Sequence, residues 1–402
     1  MAITSFHPPK RVLMGPGPSD VSERVLESMA RATIGHLDPA FVGLMDEIKE
    51  LLQYAFVTSN PLTMPVSGPG TAGMESCFVN LIEPGDRVIV CKNGVFGGRM
   101  EAMASRCGAF VVTVDDTWGR AVSVDKLQHA LEEHPDARLV AFVHAETSTG
   151  ALSDAEALIE LAHAHDCLVI LDAVTSLGGS PLLVDEWGAD AVYSGSQKCL
   201  SCTPGLSPIT FGEAAVARIR SRTKPVQSWF MDLNLVMSYW GDGEKRSYHH
   251  TAPINALYAL HEALLILKEE GREPAWERHY RNHKALQAGI EALGLRFMVP
   301  EGERIPQLNA VEIPEGIDEV RVRKRLLEEH RLEIGAGLGP MAGKIWRIGL
   351  MGHSSRPENV EHCLAALGAV LSDEGMQVSG TKAVEASEAV LAEWSSEANA
   401  TT

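Results

Sequence analysis

Between residues 60 and 212 the chain alternates short apolar runs with helix-patterned stretches. The runs are 87–91 (RVIVC), 110–114 (FVVTV), 139–144 (LVAFVH), 168–172 (LVILD), 191–194 and 208–211. Each is apolar on both faces, which predicts strands covered from both sides, as in a mainly parallel sheet between helices. Residues 154–165 separate two of the runs and place Leu158, Leu161 and Ala162 on one helical stripe. Ahead of the sheet, Phe41, Leu44, Ile48, Leu51 and Leu52 mark 39–56 as an amphipathic helix. Behind it, 256–270 predicts a long helix leading out, and from about 275 to 370 the pattern changes to helix, strand, helix, strand, helix.

The expected fold is therefore α/β with a second, smaller α+β unit. The expected divisions are an N-terminal extension (1–18), a large domain (19–265), a small domain (266–372) and a tail (373–402). From Asp373 the tail carries six acidic residues against one lysine, with Ser, Ala, Thr and Gly between them. That composition suits a mobile segment, although Val384, Leu391 and Trp394 fall at the spacing of one loose helix.

A length of 402 residues fits one large domain plus a smaller one, and the 45% apolar, 22% charged composition is that of an ordinary globular chain. The formal charge of −18 argues against sequence-independent binding of nucleic acid or anionic membrane, which needs a basic footprint. A local arginine can still receive an anionic substrate. The seven cysteines are odd in number and scattered, the pattern of a reducing compartment. No apolar run reaches the roughly 18 residues that a membrane span needs. The N-terminus lacks an apolar signal core, so a cytoplasmic location is the expectation.

In such sheets ligands sit beyond the carboxyl ends of the strands, so the residues closing each run carry the chemistry. Asp172 ends one strand, and Lys198 follows the next in Tyr193-Ser-Gly-Ser-Gln-Lys198. Both should project from one edge. A lysine among small residues at a strand end is partly desolvated, which favours the neutral amine that imine formation needs. A carboxylate beside it can pair with the protonated pyridine nitrogen of pyridoxal phosphate. Taken alone, the two fit an ordinary ion pair equally well.

A third element changes the balance. Ser67-Gly-Pro-Gly-Thr-Ala-Gly73 enters a helical pattern (Met74, Phe78, Leu81), an arrangement that offers backbone amides and a helix dipole to a phosphate. Gly68, Gly70 and Gly73 also satisfy G-x-G-x-x-G, which raises a nicotinamide dehydrogenase as rival. That fingerprint needs a carboxylate after the following strand, and here the strand ends Val90-Cys91-Lys92-Asn93. A single phosphate fits better than a dinucleotide.

Seven segments in order carry a family resemblance. They are 68–75, Asn93-Gly-Val-Phe-Gly97, His144-Ala-Glu-Thr-Ser-Thr-Gly150, Asp172-Ala-Val-Thr-Ser-Leu-Gly-Gly179, Ser194-Gly-Ser-Gln-Lys198, Tyr248-His-His-Thr251 and Arg347-Ile-Gly-Leu-Met-Gly352. Together they resemble the class V pyridoxal-phosphate-dependent aminotransferases, nearest in look to alanine–glyoxylate and serine–glyoxylate aminotransferases. The resemblance covers about 13 to 371 and leaves the tail outside.

It implies a fold-type I enzyme with a seven-stranded sheet, transamination from alanine or serine to glyoxylate by a ping-pong cycle, and no metal. Lys198 would carry the cofactor as a Schiff base and move the proton, and Asp172 would bind the pyridine nitrogen. Val174 and Phe96 would cover the two ring faces; many relatives have tryptophan at the second position. Thr147 would lie at the 3′-oxygen. Pro69, Gly70, Thr71 and Gln197 would hold the phosphate, with Tyr248 and Thr251 reaching it from the other subunit of a homodimer. Pro69 departs from the serine common in relatives and removes one N–H and one hydroxyl from the cup. Arg347 would take the substrate carboxylate, since a planar guanidinium captures carboxylates bidentately, and Gly17 would pass the substrate side.

Rivals within the class remain. Ureidoglycine–glyoxylate aminotransferases resemble this chain too, but their pattern carries glutamine at the position of His36 and asparagine at that of Tyr248. Aspartate- or pyruvate-linked relatives are more distant. A cysteine desulfurase would need a mobile nucleophilic cysteine in the C-terminal half, where, past Cys202 at its border, only Cys363 stands, in a helical pattern. A non-catalytic binder would have no use for Lys198, Asp172 and Arg347 together.

The remaining motifs have plain readings. Cys199-Leu-Ser-Cys202 has no second pair to complete a zinc site and no redox context. His163 and His165 point to different helix faces. His249 and His250 are expected to orient the turn that carries Tyr248 and Thr251. His144 and Glu146 are expected to support the cofactor from behind.

Overall fold

The six apolar runs all become strands, joined by a seventh in front of the glycine-rich turn. The computed structural model describes residues 3–241 and 246–400; residues 1–2 of the extension and 401–402 of the tail lie outside the described residues. The strands are β1 (Leu62–Ser67), β2 (Arg87–Lys92), β3 (Phe110–Asp115), β4 (Ala137–Val143), β5 (Leu168–Asp172), β6 (Ala191–Tyr193) and β7 (Leu206–Phe211). They form one sheet in the order β1-β7-β6-β5-β4-β2-β3. Neighbours from β6 to β3 run parallel, while β7 runs antiparallel to both β6 and β1. The parallel register sets Val143, Asp172 and Tyr193 side by side at the carboxyl edge.

Helices α1 (Pro39–Phe56), α2 (Gly70–Leu81), α3 (Val95–Arg106), α4 (Ala155–Ala164) and α5 (Ile254–Glu270) belong to this layer. The Asp38 side chain accepts from the Ala40 amide and Pro39 opens α1, a capped start that its amphipathic stripe continues. Phe41, Ile48 and Leu52 are fully buried in a core that runs from Val25 to Ala275. Gly73 lets α2 lie close on β7, where a Cβ would fall 3.0 Å from Ser207 Cβ.

A second core begins in α6 (Arg272–Ala292) and includes α7 (Glu319–His330), α8 (Pro357–Asp373) and a three-stranded antiparallel sheet. That sheet runs in the order β8 (Leu308–Glu312), β10 (Ile345–Gly349), β9 (Gly335–Ala336). The N-terminal segment crosses between the two units. Val12–Leu13 pairs with Leu332–Glu333 and Met14 is buried in the second core, while Ser19 hydrogen-bonds the turn that carries Lys198.

The tail corrects the expectation of a mobile acidic segment. Gly380–Ala400 is a helix, α9, docked on α6 and α8. Small residues permit the close approach: Ala383 and Ser387 are fully buried, and a Cβ on Gly289 would meet the Ala383 carbonyl oxygen at 2.9 Å. Trp394 Nε1 donates to Glu277 at 2.9 Å, and its ring lies edge-on to Tyr280. Lys382, Glu385, Glu388 and Glu393, part of the charge that suggested disorder, are exposed along the helix. Among the described residues no helix is long and apolar enough to cross a membrane.

Candidate active site

Three elements meet at the carboxyl edge of the sheet: the ends of β5 and β6, the α2 entry, and β10 from the smaller unit. Asp172 closes β5 and is 2% exposed. Its Oδ1 accepts from the Val174 amide at 2.8 Å, and its Oδ2 accepts from the Tyr193 hydroxyl at 2.6 Å. Burial lifts the carboxyl to about 7, against the pull of those two donors. No cation pairs with it among the described residues.

Lys198 lies in the turn after β6 and is 8% exposed. Its Nζ donates to the Pro16 carbonyl oxygen. Burial, with the Arg347 charge behind it, brings the amine down to about 8; Cys199, Asp172 and Glu146 pull the other way. The turn is held by Ser19 Oγ, which donates to the Lys198 carbonyl oxygen at 2.8 Å. Gly17 has φ +97°, and a Cβ there would stand 2.7 Å from Lys198 Cδ and Nζ, so the N-terminal segment runs hard against the amine.

Arg347 is 6% exposed in the middle of β10. Its Nε donates to Ala336 O at 2.7 Å and its Nη1 to Thr147 O at 3.1 Å. Both partners are backbone carbonyls, so the positive charge is anchored without being neutralised. Burial lowers its pKa to about 10, leaving it charged at neutral pH, and Glu146 acts in the opposite sense.

The phosphate candidates gather at the α2 entry. Pro69 is the N-cap and supplies no side-chain cap bond, which leaves first-turn amides available. Gly70 lies under Val174: a Cβ would be 3.2 Å from Val174 Cγ2 and 3.4 Å from the Ser194 carbonyl oxygen. Gln197 makes no side-chain hydrogen bond among the described residues, although its Oε1 is buried. Phe96 stands in the first turn of α3, whose N-terminus is capped from the 146–148 turn. The buried Glu146 accepts from the Phe96 amide at 3.2 Å and from Ser148 Oγ at 2.6 Å, and Ser148 Oγ accepts from the Val95 amide at 2.9 Å.

Tyr248 and Thr251 do not enter this cluster. Both are exposed, and their hydroxyls hydrogen-bond each other at 3.3 Å. Between them His249 Nδ1 contacts His250 Nδ1 at 2.8 Å, and His250 Nε2 contacts Ser67 Oγ at 3.1 Å, tying this turn to the glycine-rich one. Cys199 and Cys202 are buried free thiols, pushed up to about 12 and about 11 by burial and so unreactive. His163 pairs with Asp190 at 2.9 Å.

Sequence reasoning passed over Tyr193 as the donor to Asp172. The parallel register gives the signal, since Tyr193 ends the strand beside Asp172. It also passed over the Pro16 carbonyl and over Arg99, whose Nη1 donates to Thr71 Oγ1 at 2.9 Å.

The donor set fits pyridoxal phosphate. A buried carboxylate lacks a cation, a buried amine lacks a carboxylate, and an unpartnered amide stands beside an uncapped helix start. A ring nitrogen, a carbonyl carbon and a phosphate would satisfy all three.

Comparison with known proteins agrees. Residues 16–351 match the family model for class-V aminotransferases. The chain is 41% identical over 373 residues to an alanine–glyoxylate aminotransferase of Drosophila melanogaster, covering 92% of this chain and 94% of that one. Among solved structures it resembles an alanine–glyoxylate aminotransferase from Nostoc sp. (47% identity, 92% and 98% coverage, TM-score 0.90). It also resembles a ureidoglycine–glyoxylate aminotransferase from Bacillus subtilis (40% identity, 96% and 100% coverage, TM-score 0.94).

Proposed function

Because this chain belongs to the class V aminotransferases and is a pyridoxal-phosphate enzyme, we propose that it transfers the amino group of alanine or serine to glyoxylate, giving glycine, by a ping-pong cycle. The observation that carries the chemistry is the trio of buried, mutually unpaired groups, Asp172, Lys198 and Arg347, at one sheet edge.

Bound there, the cofactor supplies a carbonyl that takes the donor's amine and a protonated ring that draws electrons from the donor's Cα. Asp172, kept in place by Tyr193, holds the proton on the pyridine nitrogen. Lys198 would hold the cofactor's carbonyl carbon and would serve as the base that moves the proton between Cα and C4′; a pKa of about 8 suits an amine that must both accept and give. Phe96 and Val174 would cover the ring's two faces, and Thr147 would serve its 3′-oxygen. Gly70, Thr71 and Gln197 hold the phosphate at the α2 entry that Pro69 opens. Arg347 grips the α-carboxylate, and Gly17 leaves room beside the amine.

The assembly is a homodimer in this reading. Tyr248 and Thr251 present paired hydroxyls to solvent rather than to their own site, as expected of groups that complete the partner's phosphate cup. (S)-Ureidoglycine as donor is the competing reading, supported by the likeness to the Bacillus enzyme. It is disfavoured at His36 and Tyr248, where ureidoglycine–glyoxylate aminotransferases are expected to carry glutamine and asparagine; here the two rings stand 5.0 Å apart, centre to centre.

The test is the visible spectrum of the purified holoenzyme, followed after alanine, serine, aspartate or ureidoglycine is added. Bleaching by alanine or serine, reversed by glyoxylate with glycine formed, is the expected result. Bleaching by ureidoglycine or aspartate alone would overturn the substrate assignment.

A further inference from the structure

The residues assigned to the phosphate cup, Gly70, Thr71, Gln197, Tyr248 and Thr251, carry no positive charge among them. A phosphate ester bears about −1.5 to −2 at neutral pH, and a helix N-terminus offsets only about half a charge. The cup as drawn is short of a cation, since Lys198 is committed to the carbonyl carbon and Arg347 to the substrate.

Arg99 lies within reach. It stands three residues after Phe96 on α3, and its guanidinium carbon is 4.9 Å from the centre of the Phe96 ring. Its Nη1 donates to Thr71 Oγ1 at 2.9 Å. It is half-buried and forms no ion pair among the described residues. The bond's direction matters. Because Thr71 Oγ1 accepts from Arg99, the threonine hydrogen is free to point at another acceptor, and a cationic donor behind it strengthens that second bond.

We propose that Arg99 is the cation of the phosphate cup, binding the cofactor's phosphate through Thr71 while its guanidinium braces the Phe96 ring. This rests on the cofactor assignment above. Arg99 is a positioning residue, and its contribution should depend on the phosphate group rather than on the ring.

Cofactor-free wild type, Arg99→Gln and Arg99→Lys should each be titrated with pyridoxal phosphate and with pyridoxal, which lacks the phosphate. Uptake is read from the visible absorbance of the lysine-bound carbonyl, with inorganic phosphate as competitor. Arg99→Gln should lose about tenfold or more in affinity for pyridoxal phosphate, the scale of a charge-assisted hydrogen bond, with affinity for pyridoxal unchanged. Competition by inorganic phosphate should weaken by a similar factor, and Arg99→Lys should recover part of both. Equal losses for the two carbonyl compounds would show that Arg99 merely supports the fold, and unchanged affinities would show that it does nothing here; either result overturns the proposal. If Arg99→Gln does not fold, the Arg99→Lys comparison decides on the same criterion. Wild type that takes up neither compound would instead sink the cofactor reading.

Discussion

Replacing Asp172 by asparagine separates what the buried carboxylate does for catalysis from what it does to stability. In the cofactor-free protein, burial lifts this carboxyl from 3.8 to about 7. At about 1.36 kcal/mol per pKa unit, ionising it costs about 4 kcal/mol more in the folded protein than in the unfolded chain. A folded pKa above the unfolded one means that the native state holds the proton longer. Stability is therefore fully present below pH 3.8 and is lost as the pH rises toward about 7. From pH 5 to pH 7.5 the loss amounts to about 2.5 kcal/mol. Asparagine does not titrate and escapes it. The amide does mispair, having one acceptor for the two donors Tyr193 Oη and Val174 N, at a cost of about 1–3 kcal/mol that is the same at every pH. Urea unfolding of both cofactor-free proteins, at one protein concentration, removes that constant. The stability of Asp172→Asn relative to wild type should climb by about 2.5 kcal/mol between pH 5 and pH 7.5. With the cofactor bound, the same variant should lose at least about a hundredfold in transamination rate, because the ring cation has lost its counter-charge. A stability difference that stays flat with pH would refute the claim that burial sets this carboxyl's pKa.

Other outcomes follow from the same geometry. Uptake of pyridoxal by the cofactor-free enzyme should accelerate with pH and level off near 8, where Lys198 becomes neutral, rather than near its ordinary 10.5; in Arg347→Gln, which removes a charge that lowers the lysine's pKa, the plateau should move upward. Arg347→Lys should raise KM for the amino-acid donor about tenfold or more, since an ammonium cannot reproduce a bidentate fork; an unchanged KM would mean that the carboxylate sits elsewhere. Gly17→Ala should destabilise the protein by about 1 kcal/mol or more through its positive φ, and should slow cofactor capture because the new Cβ would stand 2.7 Å from the Lys198 amine. Full-rate capture in that variant would show that the N-terminal segment moves aside.

Much of the architecture was legible locally. Strands covered on both faces must be apolar throughout, so β2 and β4 to β7 announced themselves, while β3 reads alike but lies at the sheet edge with Phe110 exposed; Asp172 and Lys198 stood out as polar residues closing or following such runs. The Phe41–Leu52 stripe marked α1 within its own eighteen residues, and the structure adds the Asp38 cap before them. Because α9 carries its charges on one face and its small residues on the other, composition pointed to disorder where Ala383 and Ser387 in fact dock on α6 and α8. A composition count averages over faces and so cannot see such a surface.

What the sequence determined alone was the inventory: which strands, which amine, which carboxylate, and a glycine turn able to take a phosphate. What only the tertiary structure decided was who faces whom. Lys198 meets the Pro16 carbonyl across 182 residues, Arg347 meets the Thr147 carbonyl across 200, and Glu146 caps a helix that begins fifty residues earlier. The physical reason is that burial sets these groups' charges. An isolated lysine, arginine or aspartate titrates by its own chemistry, and each departs from it here only because distant segments close around it and exclude water.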